Sequence, residues 1–121
     1  MNQVEHAVRL DVVRGVWGRL IGLLGRSQAP RDRALCLIGC SAIHTCFMRF
    51  PIDLIFVDRC GGVLKVVEGL RSWRAAHCPG AFAAIEAYEG FITERGLRPG
   101  DRLQLDPPIF NRLDREGNLS C

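Results

Sequence analysis

The chain has 121 residues, enough for one domain, and its 48% hydrophobic and 24% charged residues exclude a disordered polypeptide. Sixteen Lys and Arg against thirteen Asp and Glu leave a formal charge of +3, and every cation except Lys65 is an arginine. That charge is too mild for a dedicated nucleic-acid binder, which shows a clustered basic stripe interleaved with aromatics.

Glu5, His6 and Asp11 interrupt the N-terminal stretch where a secretory signal needs a basic start and a continuous apolar run. No segment reaches the ~18 uncharged apolar residues of a membrane span, since RLIGLLGR is bracketed by arginines. The chain therefore reads as a soluble, cytoplasmic protein, and its six cysteines as free thiols in a reducing compartment rather than a disulfide framework.

In chain order, HAVRLDVV at 6–13 alternates with period two, which predicts an amphipathic strand. In the next segment Val16, Leu20, Leu23 and Leu24 recur at helical spacing, which predicts a short helix over about 15–25. ALCLIG at 34–39 is a short apolar run before a small-residue junction. In IHTCFMRF, Ile43, Thr45 and Phe47 face one way and His44, Cys46 and Met48 the other, until Pro51 breaks the ladder.

IDLIFVD at 52–58 and VLKVVEG at 63–69 flank Gly61-Gly62, which predicts a β-hairpin. RSWRAAHCPGA reads as an irregular excursion, FAAIEAY as another strand, and EGFITERGL as a short helix or turn. Pro99 and Gly100 then make a turn in which Asp101 accepts backbone N–H bonds ahead of a strand carrying Leu103 and Leu105. The tail at 107–121 has two prolines and little periodicity, so residues 1–106 are expected to fold as one unit with a loosely packed C-terminal tail. The predicted fold is α+β and mainly β: a small, partly open antiparallel barrel with one or two short helices.

RLIGLLGR, CSAIHTCFMRFPIDLIFVD, the Gly-bearing hairpin, LRSWR, AIEAYEG and GLRPGDRL, in this order, resemble the uncharacterised prokaryotic family called domain of unknown function 192, over about residues 5–106. The resemblance implies a small β domain around a partly closed barrel, and no settled biochemical function. The chain departs from the family pattern at Leu24, where methionine is usual, and at Ile85-Glu86-Ala87, where leucine-glutamate-leucine is usual; both keep the apolar character.

Cys36, Cys40, His44 and Cys46 supply soft ligands, but their spacing matches no standard zinc arrangement, so buried thiols beside a hydrogen-bonded histidine are expected and no metal or cofactor. Asp53 is the most informative residue, because a carboxylate inside IDLIF must find donors; Arg49, His44, Arg74 or N–H groups at the Pro51 break are the candidates. Trp73 between Arg71 and Arg74 reads either as a lid over the core or as a stacking surface. The candidate ligand-binding set is His44, Arg49, Asp53, Trp73 and Arg74. No set of nucleophile, base and orienting group assembles from the sequence, which favours a binding or accessory module for an unknown small ligand or protein partner. The alternative is an enzyme acting on a small anionic substrate at His44, Arg49, Asp53 and Arg74.

Overall fold

A computed structural model describes residues 5–13, 31–45 and 50–106. Its strands are β1 (Glu5–Val13), β2 (Ala34–Ile38), β3 (Ala42–His44), β4 (Ile52–Val57), β5 (Val63–Leu70), β6 (Ala75–His77), β7 (Ala83–Tyr88) and β8 (Arg102–Asp106), with one short helix, α1 (Phe91–Arg95), between β7 and β8. The helix expected over 15–25 and the tail at 107–121 lie outside the described residues.

Six strands form one sheet in the order β5-β4-β7-β2-β1-β8. β4 and β7 sit inside it and are buried at every position, which is why IDLIFV and AAIEAY, apart from Asp53 and Glu86, run apolar instead of alternating. β1 alternates, with Val8 and Leu10 buried and Ala7, Arg9 and Asp11 exposed. β5 exposes Leu64, Lys65 and Glu68.

The predicted hairpin joins β4 to β5, and its turn is fixed by Asp58, whose Oδ1 accepts the N–H groups of Cys60 (2.9 Å) and Gly62 (2.8 Å). The same turn brings the two edges of the sheet together. Gly62 bridges Arg102, Leu103 N–H donates to the Gly61 carbonyl (2.8 Å), and Val63 N–H donates to the Asp101 carbonyl (2.8 Å). Gly61 has φ 87°, and a Cβ there would lie 2.4 Å from the Leu103 carbonyl oxygen, so only glycine permits this approach. The result is the expected mainly β, α+β fold with a partly open barrel. The expectation of antiparallel pairing holds except at β1, which is parallel to both β2 and β8.

β3 and β6 form a separate two-stranded ladder with Ile43 opposite Ala76, both buried. β6 falls within the segment expected to be irregular. Lys65 Nζ ties it to β5 by donating to the His77 carbonyl (2.9 Å). Among the described residues no helix is long and apolar enough to cross a membrane.

Candidate functional site

β4 begins where β5 ends, with Ile52 opposite Leu70, and this end of the sheet gathers most of the residues singled out in the sequence. Asp53 is 1% exposed, and its carboxylate accepts three backbone N–H bonds. Gly69 donates to Oδ1 (2.9 Å), while Ile92 (2.8 Å) and Gly90 (3.2 Å) donate to Oδ2. The last two stand at the start of α1, whose N-cap residue Gly90 has no side chain to cap it, so a carboxylate from β4 satisfies those donors instead. Three such bonds offset the desolvation of a buried carboxylate. The expected donors are corrected: glycine and isoleucine amides hold Asp53, not Arg74 or the amides around Pro51. Arg49 lies outside the described residues, and so does the His44 side chain.

Two residues beyond Gly69 the chain enters the turn Arg71-Ser72-Trp73-Arg74, and Thr45, just past β3, clasps it. Thr45 is fully buried. Its N–H donates to the Arg74 carbonyl (2.8 Å) and its carbonyl accepts from Trp73 N–H (3.2 Å). Its hydroxyl accepts from Arg74 N–H (2.9 Å) and donates to the Arg71 carbonyl (2.5 Å), with the Arg74 carbonyl oxygen a second acceptor at 3.2 Å. The turn so held places Trp73 at φ 63°, the one non-glycine residue with positive φ among those described. This is a left-handed conformation that bulky side chains avoid.

The Trp73 side chain is 60% exposed, so it is no lid over the core. Arg71 and Arg74 are exposed on either side of it. The structure thus places Trp73 and Arg74 in one exposed turn and buries Asp53 in the core, where the Gly69 amide, two residues before the turn, is one of its donors. It places His44 in β3 opposite Ala75, next to Thr45. Thr45 carries no signal of this role in the sequence because a threonine beside Ile43 and Phe47 looks like an ordinary strand residue.

The cysteines separate by environment. Cys36 is buried, and desolvation, with Cys40 nearby, pushes its thiol up to about 12, which leaves it protonated and inert. Cys36, Cys40 and Cys78 are free, whereas Cys60 is disulfide-bonded, a correction to the reading of six free thiols. Among the described residues no three His, Cys, Asp or Glu side chains converge to hold a metal; Cys46, part of the cluster considered in the sequence, lies outside them.

Beside α1, the Tyr88 hydroxyl donates to Glu94 Oε2 (2.5 Å), Arg31 lies 3.5 Å from Glu94 Oε1, and the Arg31 guanidinium covers the Tyr88 ring at 4.7 Å. The hydrogen bond raises the Tyr88 phenol above its ordinary value and lowers the Glu94 carboxyl.

The fold recurs in solved structures. A Sinorhizobium meliloti 1021 protein named as a candidate transcription regulator superposes with a TM-score of 0.68 at 19% identity, covering 77% of this chain and 78% of its own. A protein of unknown function from Novosphingobium aromaticivorans DSM 12444 gives 0.67 at 18% identity, covering 77% and 71%. At these identities the likeness is one of fold. No curated protein sequence matches the chain. Residues 1–105 match domain of unknown function 192, described as an "Uncharacterized ACR", and the chain therefore belongs to the DUF192 family.

Proposed function

We propose that the protein is a binding or accessory module that works through the Arg71–Arg74 turn. One observation carries this reading: an exposed tryptophan is held in a strained backbone conformation by a buried threonine whose polar atoms are nearly all spent on that turn. Strain of this kind persists only where the surroundings impose it, and it concentrates at ligand clamps and functional sites. The sealing of Asp53 weighs against the alternative of an enzyme using His44, Arg49, Asp53 and Arg74 on a small anion, because its carboxylate is already spent on backbone amides.

The test is photo-crosslinking in cells from a reactive residue at position 73, with exposed Gln104 as the control position, followed by binding measurements on the purified partner. The reading requires a discrete adduct from 73 and weakened binding by Trp73→Ala. Equal adducts from both positions would sink it.

The same reading takes residues 1–106 as the folded unit and 107–121 as a loose tail. Limited proteolysis should trim the tail first. Three free thiols support a cytoplasmic location and the Cys60 disulfide counts against it, so subcellular fractionation decides.

A further inference from the structure

The shape and charge of the Arg71–Arg74 turn bear on what it binds. Small ligands are taken up in concave sites lined by several side chains. Trp73 is the reverse of that, a residue 60% exposed on a tight turn, which suits a partner that closes over it. Tryptophan and arginine are also the residues that dominate binding energy at protein interfaces.

The charged residues of the turn itself, Arg71 and Arg74, are both cations. Arg71 and Arg74 are both exposed, and among the described residues neither forms an ion pair. Among the exposed acids, Glu94 is engaged with Tyr88 and Arg31, Asp11 with Arg33 and Glu68 with Thr93. The turn is already held in shape by Thr45, so a partner need not order it, and avoiding that cost raises affinity.

We propose that this turn docks an acidic peptide segment, whose Asp or Glu side chains pair with Arg71 and Arg74 while its apolar side chains pack around the Trp73 indole. Thr45 is a positioning residue: sealed in the core, it acts only by holding the backbone of the turn. The inference rests on the reading of the turn as the binding surface and narrows it to one class of partner.

The experiment is isothermal titration of the full chain with synthetic peptides that alternate Glu with Leu, beside versions with Lys for Glu, an oligothymidine and inorganic phosphate. The acidic peptides should bind with an affinity that falls as salt rises. Trp73→Ala should weaken binding at least about thirty-fold, the loss expected of a hot-spot residue. The double variant Arg71→Ala, Arg74→Ala should weaken it and remove the salt dependence. Thr45→Val should weaken it severalfold, and Thr45→Ser, which keeps the hydroxyl, should restore it. The three exposed positions lie on the surface, so thermal melts near wild type will show that lost binding is not lost folding.

The proposal is overturned if no acidic peptide binds, if Trp73→Ala binds them as well as wild type, or if the lysine peptides or oligothymidine bind equally well. A partner captured through position 73 that contacts the turn without an acidic segment would leave the binding reading standing and remove this inference alone.

Discussion

Asp53→Ala removes the acceptor of three backbone N–H groups at once, two of them at the start of α1, in a site with no room for bulk water. Leaving buried donors unsatisfied costs about 1–3 kcal/mol each, so a loss of about 3 kcal/mol and a clearly lower melting temperature are expected. Asp53→Asn keeps one oxygen but turns an NH2 group toward donors, and should also destabilise, by less; a wild-type melt for Asp53→Ala would refute the assignment. Trp73→Gly tests the opposite case. A non-glycine residue at left-handed φ costs about 1–2 kcal/mol, and glycine removes that while adding about 0.5–1 kcal/mol of unfolded-chain entropy. The variant should melt at or slightly above wild type, whereas a core lid replaced by glycine would melt well below it. That Asp53 needed partners was legible in the sequence, because an acid enclosed by the apolar residues of IDLIF is costly to bury without donors. Their identity was not, since amide donors at Gly69 and Gly90 leave no side-chain signature. Nor did the residues around Trp73 reveal its exposure, which follows from a backbone angle imposed by a threonine 28 positions away.

At the scale of the element, the β4–β5 turn both reverses the chain and closes the barrel. Gly61→Ala would set a Cβ against the Leu103 carbonyl and force a residue with φ 87° into strain, so it should cost about 3 kcal/mol or more and deprotect Leu103 and Val63 in hydrogen exchange. Protection unchanged at Leu103 would show that the two edges do not depend on that glycine. The hairpin was legible because Gly61-Gly62 sits between two apolar runs, and β7 because AAIEAY is apolar at every position but Glu86. The parallel placement of β1 was not, because its partners β2 and β8 are remote in sequence and alternation reveals which face is buried, not which way a neighbour runs. β6 was missed for a related reason: three residues with a distant partner carry no periodicity of their own.

Across the whole molecule, titration should narrow stability from both sides. Cys36 has its thiol pushed from 9.0 up to about 12 by burial. A folded value above the unfolded one means that its contribution is whole below pH 9.0 and fades as pH rises toward about 12. Tyr88, raised chiefly by its bond to Glu94, acts in the same direction, losing its contribution as pH climbs past 10.0. Glu94 is lowered chiefly by the same bond, so its contribution is present above pH 4.5 and disappears as pH falls through its folded value. Tyr88→Phe should flatten both limbs of a plot of melting temperature against pH, and Cys36→Ala only the alkaline one; a Tyr88→Phe profile parallel to wild type would show that the pair is energetically silent.

The position of β1 between β2 and β8 also bears on how the protein is made. Glu5 pairs with Arg102, so one side of this strand waits for a partner that leaves the ribosome about a hundred residues later. Until then β1 has an open edge, and closing so long a loop makes its pairing with β8 slow compared with the β4–β5 hairpin. Nascent chains stalled before Arg102 should therefore be the aggregation-prone species, and the barrel can close only once β8 has been made.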